Sequence, residues 1–164
     1  MCIRDRFLAR LITDGAVELY YDSVKKFETA SAGVKTAYGK TSPTDGDAAG
    51  DIVYFGGTTG MEVGEIYYLT SSGTWALADA NAEATAKGML AVALGGSSDT
   101  DGMLVRGFVT LDHDPGTVGD TLFLSTTAGL ASSTAPSGNG DIVRVIGYCL
   151  DLSLIHISEP TRPY

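Results

Sequence analysis

The sequence predicts an all-β protein, an N-terminal β-meander followed by a small β-barrel or β-sandwich domain. Short apolar runs recur between Gly-Asp, Ser-Gly and Asp-Gly pairs, the punctuation of strands and hairpins. Glycine is abundant, 21 of 164 residues. No long stretch repeats the three-and-four spacing of an amphipathic helix.

The first strand is predicted from residue 16. Val17, Leu19 and Tyr21 alternate with Glu18, Tyr20 and Asp22, the period of a half-buried strand. Residues 22–25 can turn the chain into a second strand around 26–29, and Ser31-Ala32-Gly33 can turn it again into residues 34–38. Such a three-stranded meander is too small to bury a core alone and needs copies of itself or other chains against it. Residues 7–40 form this region. Residues 41–47, Thr-Ser-Pro-Thr-Asp-Gly-Asp, hold turn formers and no bulky apolar side chain, and are assigned as a linker.

Residues 48–151 form the second region, long enough for one compact core. Inside it the sequence repeats itself at an offset of 55 residues, Val63-Gly64-Glu65-Ile66-Tyr67-Tyr68-Leu69 aligning with Val118-Gly119-Asp120-Thr121-Leu122-Phe123-Leu124. Gly-Asp-Ile-Val is expected to open strands at both Gly50 and Gly140. Each copy reads as a hairpin followed by an apolar strand, residues 88–94 in the first and 142–150 in the second. Two similar β-units sharing a core are one reading, and mere recurrence of strand-turn grammar is the other. Residues 79–87 alone could be helical, with Asp79 as N-cap, Lys87 in the last turn and Gly88 as the stop. Their apolar content is all alanine, so a solvated helical turn or a loop is expected there.

The two ends stand apart. Residues 1–6, Met-Cys-Ile-Arg-Asp-Arg, and residues 152–164 resemble translated sequencing adapter, read inward from the ends of a DNA fragment. The expectation is that residues 7–151 are an internal piece of a longer protein, the domain of residues 48–151 being truncated, and that both ends are set aside in fold reasoning. Removing Arg4, Arg6 and Arg162 with Asp5 and Glu159 takes the formal net charge one unit below the −9 of the whole chain. That acidity argues against nucleic-acid binding, which needs clustered Lys and Arg. The longest bulky-apolar run, residues 89–94, is far shorter than the roughly 20 residues of a membrane-spanning helix, and no membrane insertion is expected.

Setting the ends aside also removes Cys2 and His156, leaving Cys149 and His113 single. No disulfide or Cys/His metal site can then form within the piece, and Cys149, in an apolar run, is read as a small buried hydrophobe. The acidic turns Asp45-Gly46-Asp47, Asp99-Thr100-Asp101 and Asp112-His113-Asp114 place carboxylates at alternate positions, as calcium loops do, but none is completed by a distal bidentate acid. Asx side chains bonding their own turns account for them. His113 between two aspartates could act as a base, yet no nucleophile elbow, zinc-protease or phosphate-loop motif accompanies it, and a turn role before Pro115-Gly116 is expected. Trp75 with Tyr67 and Tyr68 could stack on sugar, but on alternating strands such rings are expected to pack in a core or an interface. No catalytic, cofactor-binding or metal residue is assigned, no cofactor is expected, and the protein is read as not an enzyme.

The run Gly15-Ala16-Val17-Glu18-Leu19-Tyr20-Tyr21-Asp22-Ser23-Val24-Lys25-Lys26-Phe27-Glu28-Thr29-Ala30-Ser31-Ala32-Gly33-Val34 resembles a segment of tail-fibre and other virion structural proteins of tailed bacteriophages. Residues 107–112, 117–120 and 147–149 are similar to a β-domain downstream of that segment in such proteins, and their Gly-Asp-strand grammar also resembles capsid-decoration proteins. The resemblance implies a homotrimeric stalk in a tail fibre or appendage of the virion, assembled in the host cytoplasm with other virion proteins and serving host-surface attachment. Val17, Leu19 and Tyr21 would be buried between chains, and loops such as residues 132–139 would face solvent or a host surface glycan. A capsid decoration (cement) protein is the alternative, and a polysaccharide-degrading appendage the third.

Overall fold

The computed structural model describes residues 9–13, 15–22, 24–30, 33–36, 44–151 and 154–157. The chain divides into two compact units, Met1–Gly39 and Lys40–Tyr164. Among the described residues, the regular structure of both is almost entirely antiparallel strand.

The first unit is a meander of four strands in sequence order, β1 (Ala9–Leu11), β2 (Val17–Tyr21), β3 (Val24–Ala30) and β4 (Gly33–Thr36). The sequence predicts three of these. β1 is additional, and it pairs with β2 through Ala9↔Leu19 and Leu11↔Val17. The first turn is also tighter than predicted, because Asp22 takes a positive φ of 50° and lets β3 begin at Val24. Aspartate tolerates that left-handed conformation better than most residues. A register shift after Leu19, pairing Leu19 with Phe27 but Tyr20 with Lys25, marks a β-bulge that takes up the extra residue Lys26.

Residues directly opposed across a ladder share a face. Leu11, Val17, Leu19 and Phe27 therefore line one side of the meander. On the other, Glu18 lies opposite Glu28, a like-charge pair that would destabilise the ladder on its own. Lys25 resolves it, its Nζ donating to Glu18 Oε1 at 3.1 Å and also to Glu28. Tyr20 Oη donates to Glu18 Oε2 at 2.8 Å. The Tyr20 hydroxyl, followed by the Lys25 ammonium, holds the Glu18 carboxyl below the usual carboxylate range. Since folding favours the ionised form, this contribution is present above the ordinary glutamate pKa and is lost as pH falls through the lowered one. Acidification through and below that range should therefore loosen β2 and β3 before the second unit. Amide exchange across a pH series would show this, and uniform loss of protection in both units would refute it.

In the second unit, β5 (Ala48–Val53), β6 (Ile66–Leu69), β7 (Trp75–Leu77), β8 (Leu90–Ala93), β9 (Met103–Thr110), β10 (Thr121–Leu124), β11 (Ala131–Ser132), β12 (Val145–Cys149) and β13 (Leu154–Ile157) form one hydrogen-bonded path. Its order is β11-β10-β12-β13-β9-β8-β6-β7, with β5 paired along the other edge of β9. The path does not close on itself, so of the two predicted arrangements the barrel is not formed.

The internal repeat is present in the fold. β6 pairs with both β7 and β8, and β10 pairs with both β11 and β12. The offset of 55 carries Ile66–Leu69 onto Thr121–Leu124 and the first residue of β8, Leu90, onto the first of β12, Val145. Ile66, Val92 and Leu104 from the first copy share a core with Leu122, Leu124, Ile146 and Cys149 from the second, as in a sandwich. The second Gly-Asp-Ile-Val differs from expectation. Residues 141–144 lie outside any strand, and Ile142 instead donates its N–H to Ala80 O at 2.8 Å.

Alternate residues of β8 enter two different cores, Leu90 and Val92 the shared one, Ala91 and Ala93 a smaller one with Tyr67, Trp75 and Met103. β6 alternates in the same way, with Ile66 and Tyr67 on opposite sides. Burial on both faces explains why residues 89–94 read as a continuous apolar run, which a strand solvated on one face would not allow.

The helical segment shrinks to one turn, α1 (Glu83–Ala86). Asp79 is not its N-cap. That position is Ala82, with no side-chain cap, while Asp79 Oδ1 accepts from Asn81 N–H at 2.9 Å and Thr85 Oγ1 at 3.0 Å. Nor is the turn wholly solvated, for Ala78, Ala80 and Ala86 are buried in the shared core. Its terminal carbonyls are met by Arg144, 58 residues away in sequence, whose guanidinium donates to Ala86 O and to Gly88 O at 2.7 Å. Small alanines let this segment lie close against the strands, which accounts for the alanine content better than solvation does.

Candidate functional site

The meander presents the most unusual surface of the described residues. Its apolar face is open: Leu11 is 79% exposed, Tyr21 74%, Val24 55% and Leu19 44%. Its polar face is the satisfied one, with Glu18 only 8% exposed among Arg10, Tyr20, Lys25 and Glu28. A solvated sheet ordinarily shows the reverse. Contiguous exposed apolar area of this kind is unusual for a protein surface and makes this face the candidate site. Bulky β-formers at alternate positions build it, and the two-residue turn and the bulge keep Tyr21 and Val24 opposite each other at its end.

The acidic turns at Asp99, Asp101 and Asp114 have their carboxylates engaged by protein donors. Asp99 Oδ1 accepts from Gly57 N–H at 2.9 Å and from Ser98 Oγ at 3.0 Å. Asp101 Oδ2 accepts from Ser97 N–H at 2.9 Å, and Asp114 Oδ1 from Gly116 N–H at 3.1 Å. The Asp101 and Asp114 bonds are local and stabilise their own turns, whereas Asp99 ties its turn to Gly57, 42 residues away. Asp45 and Asp47 lie in the turn before β5, where Asp47 N–H donates to Thr44 O at 3.0 Å. Among the described residues no group of three or more His, Cys, Asp and Glu side chains is placed to hold a metal ion.

His113 is held at both ring nitrogens. Nε2 lies 3.0 Å from the N–H of Ala131, a donor only, so Nε2 must be the acceptor. The ring proton therefore sits on Nδ1, which donates to Asp112 Oδ1 at 2.6 Å. An imidazole in this tautomer has no free lone pair with which to take a proton from a substrate. It acts as a bracket between the end of β9 and the start of β11. Glu65 lies close by, its pKa pushed up by burial and then by the Asp112 charge. Gly64, at φ 84°, lets the chain approach the Asp112 backbone, where a Cβ would come within 2.5 Å of Asp112 N.

Trp75 and Tyr67 are core residues, 4% and 5% exposed. The indole Nε1–H donates to Phe55 O at 2.8 Å, and the Phe55 and Trp75 rings lie 5.5 Å apart at 42°. Tyr68, half-buried, packs against the shared core. Beside this core, Tyr54 and Phe55 after β5 remain accessible, 59% and 39% exposed. Two consecutive aromatics ending an apolar strand were the available signal for them.

Cys149 is fully buried, and its thiol donates to Asp151 O at 3.0 Å and Gly116 O at 3.3 Å. Burial pushes its pKa up, which keeps it a thiol. Residues 133–135 and 137–140 are exposed, while Ser133 N–H donates to Pro115 O and Gly138 N–H to Asp141 Oδ2, so this loop faces solvent on a tied frame.

Arg144 is the residue the sequence reading passed over. It is 6% exposed, has no carboxylate partner among the described residues, and leaves Nε without a hydrogen bond to them. A single cation inside the apolar run of residues 142–146 was its only signature. Comparison with family models, curated proteins and solved structures finds no match to this chain.

Proposed function

We propose that the protein is a structural component of a tailed-phage virion, a tail fibre or related appendage that assembles as a homotrimer and serves host-surface attachment without catalysing a reaction. The exposed apolar face of the meander carries this reading. Leu11, Val17, Leu19, Tyr21 and Val24 on a four-stranded sheet cannot be covered by a unit this small, and identical chains meeting around an axis would cover them with one another. The ion-paired opposite face would remain in solvent. The Leu-Tyr-Tyr-Asp run supports a phage fibre in particular, and the exposed loop of residues 133–140 offers hydroxyl and amide groups for a host glycan.

Light scattering on the soluble, folded chain tests the reading. A trimer of the 17.1 kDa chain is expected. Leu19→Lys should reduce it to a monomer, because a charge buried in a desolvated interface is strongly unfavourable. A monomeric parent chain at micromolar concentration would overturn the proposal.

A further inference from the structure

β13 joins the two copies of the repeat. It pairs antiparallel with β12 through Gly147↔Ile157, Tyr148↔His156 and Cys149↔Ile155. On its other edge it pairs with β9 through Leu154↔Thr110, Ile155↔Val109, His156↔Phe108 and Ile157↔Gly107. Without it the hydrogen-bonded path would break into β11-β10-β12 and β9-β8-β6-β7. The repeat itself calls for a strand at this place. In the first copy β8 is followed by β9 and pairs with it through Val92↔Leu104. Shifting Val92 by 55 gives Gly147, whose partner is Ile157.

The walls of this position are specific where its occupant need not be. Register position 155 lies between Val109 and Cys149, both fully buried. Position 157 lies between Gly107 and Gly147, both buried and without side chains. Position 156 lies between half-buried Phe108 and exposed Tyr148. Backbone pairing on two edges and an apolar-polar-apolar alternation are all such a slot requires, as in strand addition to a sheet edge.

We propose that the space between β12 and β9 is a strand-acceptor slot, and that its native occupant is this protein's own continuation beyond Asp151, an extended segment with apolar residues at positions 155 and 157 and no proline. The occupant part rests on the reading of residues 152–164 as adapter. The acceptor part does not.

Cys149 reports on the slot. In the full chain with Cys2→Ser, Ile155→Pro removes a ladder N–H, and alkylation of Cys149 should quicken by about tenfold or more. Amides of β12 and of residues 107–110 should lose protection while β6 and β8 keep theirs. A chain carrying Leu154→Thr, Ile155→Val, His156→Thr and Ile157→Val together keeps the alternation and should retain protection at both walls. In the unaltered chain, the amides bordering β13 should exchange as one group ahead of β6 and β8. If Ile155→Pro leaves Cys149 protected, if the alternation-preserving chain is as exposed as the proline one, or if the unaltered unit opens all at once, the acceptor is overturned. Sequencing the source DNA through the codons after Asp151, with adapters trimmed, tests the occupant separately. An apolar-polar-apolar segment different from residues 154–157 is expected. A proline or a charge at 155 or 157 would overturn the native occupant. Recovery of residues 154–157 unchanged would overturn the adapter reading and leave the exchange results for the slot intact.

Discussion

Replacing Gly107 with alanine should destabilise the second unit by about 3–5 kcal/mol, enough to unfold much of it. Gly107 lies opposite Gly50 where β5 crosses β9, and it holds φ at 138°. A Cβ there would stand 2.3 Å from Ala49 O and 2.7 Å from the Gly50 Cα, and both obstacles are backbone. Left-handed strain contributes about 1–3 kcal/mol, and forced displacement of a packed strand a similar amount. Gly50→Ala should behave alike, since its Cβ would meet Arg106 O at 2.1 Å. Gly119→Ala is the contrast. Its φ is 93° with nothing within 4 Å, so only the conformational cost remains. Urea denaturation followed by Trp75 fluorescence separates these cases; equal midpoints for Gly107→Ala and Gly119→Ala would show that the strand contact carries no weight.

Trp75→Ala should cost about 3–5 kcal/mol, the range for a large buried aromatic removed from a core. The indole fills the smaller core beside Tyr67 and Met103, stacks on Phe55 and satisfies the Phe55 carbonyl. Gly56, at φ 110°, admits it, because a Cβ there would lie 2.5 Å from Trp75 Cδ1. Trp75→Phe retains most of the packing but leaves the Phe55 carbonyl without its donor, and should cost about 1–3 kcal/mol. Circular dichroism melting gives both values without relying on the lost fluorophore. A Trp75→Ala protein as stable as its parent would mean that the ring belongs to an adaptable surface rather than a core.

The strands legible in the sequence were those with one wet face or a matching copy. Val17, Leu19 and Tyr21 declared β2 by alternation, and the 55-residue offset located both hairpins and the apolar strands after them. β1 was not legible, because Ala-Arg-Leu is too short to show a period and its identity as a strand depends on the edge that β2 offers. The second Gly-Asp-Ile-Val misled for a related reason. The first sits opposite Gly107, where a side chain cannot fit, whereas the second has no such partner and forms a loop tied to Ala80.

At the candidate sites, residue type was enough to place the local turns at Asp101 and Asp114, where a short carboxylate reaches nearby backbone, but not the long-range bond from Gly57 to Asp99. It was also enough to mark the apolar face of the meander, because the period of a strand sorts side chains without reference to the rest of the molecule. The all-β class was likewise determined by local pattern, whereas the choice between two similar β-units and a mere recurrence of strand-turn grammar was left to the strand pairing. Only the tertiary structure decided that His113 spends both ring nitrogens on Asp112 and Ala131, that Arg144 closes α1 from 58 residues away, and that one strand slot joins the two copies. Each of these depends on partners distant in sequence, and hydrogen bonding between such partners leaves no periodicity along the chain from which it could be read.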